Sequence, residues 1–432
     1  MSRLVALALL AILLPASALA QQEGEGSVYS RYGLGQLLPH YSSKSYALGG
    51  EGLAFNSTTF TNLANPASLS DQILVRLSGG MRFEGVETTD ALDVQSKLSS
   101  SSFDGLTIGV PLRPNQVGLG FGFSKMSQVG YLIDVIKPLD LGDTIDSGEN
   151  FGARFQGNGG LNRISSGVGY RLSPAVSVGL RGDVIFGIIE DIQETVFQDA
   201  RFVDTKIVRS TRLFGATAGL GVRVSLRDLL RDTDFLNLAF TFDLPTTLDA
   251  RRVIAEGRGE TADTLQSEIP GSVDIPMSVG VGLLYQPSPK LSFNADLRYE
   301  PWTEFSSDLT FPGYTPVSGG SNTDDRLRVS GGIEYFPAGR DLLAPFLQRT
   351  AYRLGAFMES GYVSPVNDQK VDSYGITSGV SLPTLGGGTR IDINLDVGTR
   401  GTATGSLVRD RYIRIGIHLN FAERWFARRQ LG

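Results

Sequence analysis

The sequence contains no cysteine among its 432 residues. That excludes a disulfide framework, a thiolate nucleophile and cysteine metal ligands. Histidine is scarce too, with only His40 and His418. No zinc spacing, Walker loop or calcium loop occurs, so neither catalysis nor a cofactor is expected. The formal net charge of −6 lacks the basic footprint of a nucleic-acid binder. Beyond residue 20 no apolar run reaches the roughly 20 residues a membrane-spanning helix needs.

The apolar run that does exist is N-terminal. Arg3 supplies a positive start, Leu4 to Leu14 an apolar core, and Ala18-Leu19-Ala20 a small-x-small pattern. Together they read as a secretory signal (residues 1–20) cleaved before Gln21. No cysteine follows, so a lipid anchor is excluded. The chain is exported.

From Ile73 onward, apolar residues alternate with small or polar ones. Val117, Leu119, Phe121 and Phe123 alternate with Gly118, Gly120, Gly122 and Ser124; Ile413, Ile415, Ile417 and Leu419 alternate with Arg414, Gly416, His418 and Asn420. A period of two places one set on each face of a strand. Fourteen such segments are expected, at roughly 73–84, 102–112, 116–126, 150–171, 175–190, 209–225, 235–244, 276–286, 290–303, 325–337, 351–362, 372–382, 389–400 and 408–421. Strands cross a membrane only as a closed barrel, because an open edge leaves backbone groups unpaired in lipid. The fold class expected is therefore all-β: an antiparallel transmembrane barrel over residues 73–421 with a C-terminal tail at 422–432. A soluble secreted all-β protein is the structural rival.

Connection lengths orient the barrel. Tight links such as Ser173-Pro174-Ala175 and Pro287-Ser288-Pro289 alternate with long polar stretches, notably 127–149, 191–208 and 245–275. Outer-membrane barrels have short periplasmic turns and long outer loops, which sets both termini in the periplasm of a Gram-negative bacterium. Tyr170, Tyr285, Tyr299, Trp302, Tyr335, Tyr352, Tyr362, Tyr374, Tyr412 and Trp425 fall at strand ends, where interfacial girdles form.

Residues 21–72 do not alternate, yet Leu48, Leu53, Phe55, Phe60 and Leu63 favour a packed element over a solvated tail. The stretch Ser45-Tyr46-Ala47-Leu48-Gly49-Gly50-Glu51-Gly52-Leu53-Ala54, followed by Asn62-Leu63-Ala64-Asn65-Pro66-Ala67-Ser68, resembles the N-terminal hatch of FadL/TodX-type transporters of long-chain fatty acids and aromatic hydrocarbons. The ending Phe421-Ala422-Glu423-Arg424-Trp425-Phe426 is similar to divergent, Bacteroidota-like members. The resemblance implies fourteen strands, a luminal hatch carrying Asn65, Pro66 and Ala67, and an inward kink in the third strand that opens the wall sideways. Gly118, Gly120 and Gly122 are the kink candidates; ordinary lumen filling is their alternative.

The inward rows carry many arginines and carboxylates, whose plain reading is a paired bracing network. The sharper reading has an arginine, with Arg76 and Arg82 as candidates, meet a substrate carboxylate. Leu74, Ile185, Leu284 and Phe357 interrupt the polar rows and would line an apolar path or pack on the hatch. Asp324-Asp325 is no acidic dyad, since adjacent strand residues face opposite ways. The expected partners are a hydrophobic small molecule, outer-membrane lipid and lipopolysaccharide, and proteins at the outer loops. Passive uptake through a hatch-gated, laterally opening channel leads; a secretion-associated scaffold barrel and a general porin are the alternatives.

Overall fold

A computed structural model describes residues 26–423, apart from 41, 141–145, 198–201, 230, 259–260, 265–267, 315–322, 340, 342, 365–368, 385–387 and 406. The signal segment, its cleavage point before Gln21, and Trp425 in the C-terminal tail lie outside the described residues.

Fourteen antiparallel strands close into a barrel. They are β1 Val75–Thr89, β2 Gln95–Arg113, β3 Val117–Lys125 continuing as Ser127–Asp140, β4 Asp146–Arg171, β5 Val176–Phe197, β6 Thr205–Arg227, and β7 Phe235–Asp243 continuing as Thr246–Arg258. Then come β8 Ile269–Ile275 continuing as Ser278–Ser288, β9 Leu291–Glu300, β10 Arg326–Tyr335, β11 Ala351–Glu359, β12 Ser373–Pro383, β13 Arg390–Arg400 and β14 Arg409–Glu423. Pairing of β1 with β14, from Val75↔Glu423 to Thr89↔Arg409, closes the ring. Closure removes the unpaired edge that hydrocarbon cannot tolerate.

The period-two pattern sorts side chains as expected. Leu180, Phe240, Val281, Leu354, Leu395, Ile413, Ile415 and Ile417 are exposed on the outside, whereas Arg414 and His418 on the alternate row of β14 are buried inside. This leaves an apolar outer belt around a polar lumen.

Strand lengths depart from expectation on one side. β4, β5 and β6 run 26, 22 and 23 residues, and the polar stretches 127–149, 191–208 and 245–275 continue as strand through most of their length instead of looping. At about 3.3 Å per residue, β4 is more than twice as long as the belt needs. There the strands continue around an apolar cluster that includes Val129, Tyr131, Ile189 and Leu213. β9 to β13, at 9 to 11 residues each, do not rise in this way.

Residues 26–72 thread the lumen. Gly26–Ser30 lie at the outer end, where Ser27 bonds Asp410 and the Tyr29 hydroxyl bonds the Val408 carbonyl; the chain then descends to Pro66–Asp71 at the periplasmic end, where β1 begins. The first described residues are thus at the mouth where the long strands end, opposite the end that carries the short turns. An even strand count fixes only the ends of the barrel, and the hatch crosses the lumen before the barrel starts.

Some aromatic placements also differ. Tyr170, Tyr335, Tyr352 and Tyr374 are exposed at strand ends, but Trp302, Tyr362 and Tyr412 are buried. Trp302 stacks on Tyr362 (4.5 Å) and Phe305 (5.6 Å) in an apolar cluster that also holds Leu34, Leu37, Phe311 and Tyr314 across the outer mouth. The Tyr362 hydroxyl donates to the Gly35 carbonyl (2.7 Å), so its polar tip is satisfied by the hatch rather than by headgroups. Tyr412 belongs to the inward row of Arg414, whose guanidinium lies over its ring at 4.0 Å.

Candidate functional site

The hatch is held by local geometry first. Ser42 caps the short helix Ser43–Tyr46 in a reciprocal capping box with Ser45. Asn65 caps the turn Pro66–Asp71: its Oδ1 accepts from the Ala67 amide (3.0 Å), its Nδ2 donates to the Leu53 carbonyl (2.9 Å), and Pro66 fills the first position, where no amide is required. This is the physical content of Asn65-Pro66-Ala67: one side chain ends one loop and starts the next.

The turn then lies flush on the wall. Gly118, Gly169, Gly179 and Gly221 are cross-strand neighbours in a row over β3, β4, β5 and β6. A Cβ on Gly118 would stand 2.0 Å from the Leu69 carbonyl, on Gly179 2.3 Å from Pro66 carbonyl carbon, and on Gly221 2.1 Å from Asn65 Oδ1. Only glycine permits this approach. Gly120 and Gly122 face Leu69 and Leu63 of the hatch in the same way.

Charge completes the attachment. Asp71, 4% exposed, accepts both Arg223 (Nη2–Oδ1 2.6 Å) and Arg171. Glu51 pairs with Arg298 at 2.9 Å and Lys44 with Glu334 at 2.5 Å. Arg181 donates to the Leu63 carbonyl (2.6 Å) while holding Asp183 and Asp243; Arg328 donates to the Gly49 carbonyl (2.7 Å). Asp296 accepts the Gly52 and Leu53 amides at 3.0 and 2.9 Å. Buried charges are tolerable only when paired, and here the pairs join wall to hatch.

The candidate residues are not gathered in one place. Arg82 is paired with Asp104 at 2.6 Å, and Arg76 donates to the Thr59 carbonyl at 3.0 Å, so both are spent on internal contacts. Ile185 sits in the outer apolar cluster and Leu284 in a separate one with Leu48, Leu53, Phe55 and Phe60. Phe357 lies under Arg328 (4.0 Å), and Leu74 is half-buried immediately before β1. These four do not line one path. A cavity does exist between hatch and outer cluster, lined by Leu37, His40, Arg163, Ile185, Arg298 and Trp302. Arg163 Nε and Nη2 have no hydrogen-bond partner there. Burial and then Arg163, Arg181 and Arg298 push His40 well below the ordinary imidazole range. Asp324 and Asp325 turn to separate partners, Lys370 and Thr303. Among the described residues no three His, Asp or Glu side chains assemble as a metal set.

β3 runs through Gly118, Gly120 and Gly122 fully paired on both sides. Its interruption comes instead at Met126. Below it β3 pairs with β2, up to Gly105↔Ser124; above it β3 stays with β4 but leaves β2, and Gln36–Leu37 of the hatch takes the position beside Ser127 and Gln128. The hinge residues are on the neighbouring strand. Gly159 and Gly160 of β4 have φ of +102° and +124°, values that side chains disfavour, and a Cβ on Gly160 would stand 2.5 Å from the Ser127 carbonyl. The Gly157-Asn158-Gly159-Gly160 run was the available signal; its glycines break the alternation instead of continuing it.

The resulting slot opens between Gln95–Phe103 of β2 and the upper part of β3. Phe103 and Phe123, stacked outside at 6.4 Å, mark the top of the apolar belt here. Above them β2 reads Gln95, Ser96, Lys97, Leu98 and four serines. On its β2 side the slot is thus bordered by small and polar side chains.

No curated protein matches the sequence. Solved structures do match in fold: the CymD monoaromatic hydrocarbon channel (14% identity, 92% of this chain and 100% of that one, TM-score 0.57) and the Ralstonia pickettii toluene transporter TbuX (14%, 89% and 99%, 0.55). A Pseudomonas aeruginosa FadL homologue is similar at 9% identity, 89% and 99% coverage and TM-score 0.57. At such identities the likeness is one of barrel fold, that of the FadL/TodX-type channels. The family match is separate and spans residues 1–432: this chain belongs to the BamG family.

Proposed function

We propose that this protein is an outer-membrane barrel that works closed, as a docking scaffold whose outer wall receives other exported or surface proteins. It rests on one observation above all: the hatch is wedged against wall glycines and tied across the lumen by Asp71, Glu51 and Lys44. Moving it would strand several buried charges, at about 3–5 kcal/mol for each broken pair. The rise of β3 to β8 above the belt supplies protein-sized surface on one side only. In this reading the signal is removed before Gln21, the short turns face the periplasm, and the belt contacts lipid and lipopolysaccharide.

The second reading is uptake of hydrophobic compounds, with the hatch as gate and the wall as exit. The cavity beside Arg163 favours it, because apolar Leu37, Ile185 and Trp302 next to a guanidinium with two nitrogens free of hydrogen bonds suit an amphiphilic carboxylate. Labelled long-chain fatty acid and toluene uptake, compared in cells with and without the protein, separates the two. The docking reading expects equal uptake, and protein partners recovered in mild detergent that are lost when the outer parts of β4 to β6 are trimmed. Reduced uptake with no recoverable partner would sink it.

A further inference from the structure

We infer that the outer edge of β2 at Gln95–Phe103 is a strand-docking site, which accepts an extended segment of a partner protein by β-augmentation. The inference rests on the docking reading and names where one partner binds.

The edge is defined by hydrogen-bond phase. In the hairpin joining β1 to β2, the Asp90 amide donates to the Val94 carbonyl (3.1 Å), so Asp90 and Val94 form a hydrogen-bonded pair. Antiparallel pairs alternate. With the register Thr89↔Gln95, Glu87↔Lys97, Gly85↔Ser99, Phe83↔Ser101 and Met81↔Phe103, the amides and carbonyls of Gln95, Lys97, Ser99, Ser101 and Phe103 point away from β1. They point at the slot that β3 has left. Among the described residues no strand pairs with this edge.

The opposite edge shows how the slot is used. Gln36–Leu37 pairs with Ser127 and Gln128, and the Ser30 hydroxyl both accepts from the Gly130 amide and donates to its carbonyl (3.0 Å each). The chain's own N-terminal segment thus augments β3 and leaves β2 for another strand. The fork is rigidly braced beneath. Asp104 is bulged out of the β1–β2 ladder and turned inward to Arg82 (2.6 Å) and His418 Nε2 (3.1 Å).

Solvated edges are normally protected by charged side chains (lysine above all), proline, a bulge or an inward charge. Gln95–Ser102 has no proline and no bulge, and its one charge, Lys97, points outward to Glu87 at 3.3 Å. Ser99 and Ser101 are exposed on the outer face and small enough for a neighbouring strand to lie close. The segment they fit is extended, with small or polar side chains opposite the two serines.

The test measures amide hydrogen exchange over residues 95–103 of the full-length protein in two settings: native outer-membrane vesicles, and liposomes of phospholipid and lipopolysaccharide containing the protein alone. The expected result is about 100-fold slower exchange of the slot-facing amides in native vesicles only. The double variant S99P/S101P removes two slot-facing donors while sparing the β1 ladder. Its Lys97 and Phe103 amides should exchange at the liposome rate even in native vesicles. Equal rates in the two wild-type settings overturn the inference, and so does equal slowing in lipopolysaccharide liposomes, which would make lipid the cover. Should the variant fail to insert, the wild-type comparison still decides. Wild-type slot amides that stay fast in native vesicles from which partners still co-purify would sink the docked strand and leave the docking reading standing.

Discussion

The lower and upper halves of β3 obey different rules. Below Met126, Val117–Lys125 is paired on both edges and Gly118, Gly120 and Gly122 press against the hatch; above it, Ser127–Asp140 has lost β2 and recruits the hatch as its partner. The level of the membrane explains the contrast. Within hydrocarbon an unpaired amide has nothing to bond, so the wall must close. Above Phe103 and Phe123 water can satisfy the edge, and the wall is free to split. The same boundary separates the tall strands β4 to β6 from the short β9 to β13: outside the bilayer, height is set by what the surface contacts rather than by lipid thickness.

That comparison can be broken at several points, beginning with the largest effect. Asp71→Ala leaves Arg223, 2% exposed, without its carboxylate at the base of the hatch, and should cost about 3–5 kcal/mol, read as a lower unfolding temperature and faster proteolysis of residues 26–72. Leu395→Arg puts a charge on the lipid face of β13 and should cost about 2–4 kcal/mol if that row crosses mid-membrane. The same change at Ser99, above the belt, should cost under 0.5 kcal/mol in refolding from urea. Gly160→Val imposes a β-branched residue at φ +124° and should cost about 1–3 kcal/mol, with the loss confined to exchange protection of the upper half of β3. Asn65→Ala removes the cap of Pro66–Asp71 and should cost about 1 kcal/mol. Arg154→Ala, breaking a half-exposed pair with Asp134 on the outer extension, should fall near or below 0.5 kcal/mol.

How much could be read in the sequence follows the same boundary. The lipid belt imposes period two, so Ile413 to Leu419 and Val117 to Phe123 announced their strands and faces, and the count of fourteen with them. The inward arginines were legible for the same reason. The outer strand extensions were not: Val129, Tyr131 and Ile133 form a short inward apolar row, but the polar residues that follow, such as those of 191–208, read as a loop. Asn65-Pro66-Ala67 was visible as a motif, but its seat, a row of four glycines on four strands, is assembled only by register. Gly118, Gly120 and Gly122 look like a flexible run in one strand; pairing makes them a floor for Leu63 and Leu69 and puts the hinge at Gly159 and Gly160 next door. Arg163 could not be told from the other inward arginines, since which guanidinium nitrogens go without a hydrogen bond is a property of three dimensions.

The central claim is that the lumen is closed by a fixed hatch, and ion conductance in planar bilayers tests it most directly. The wild-type protein should give no steady current, while Asp71→Ala combined with Glu51→Ala should open intermittent channels as the hatch loosens. Steady conductance from the wild-type barrel, unchanged by the double substitution, would contradict the account.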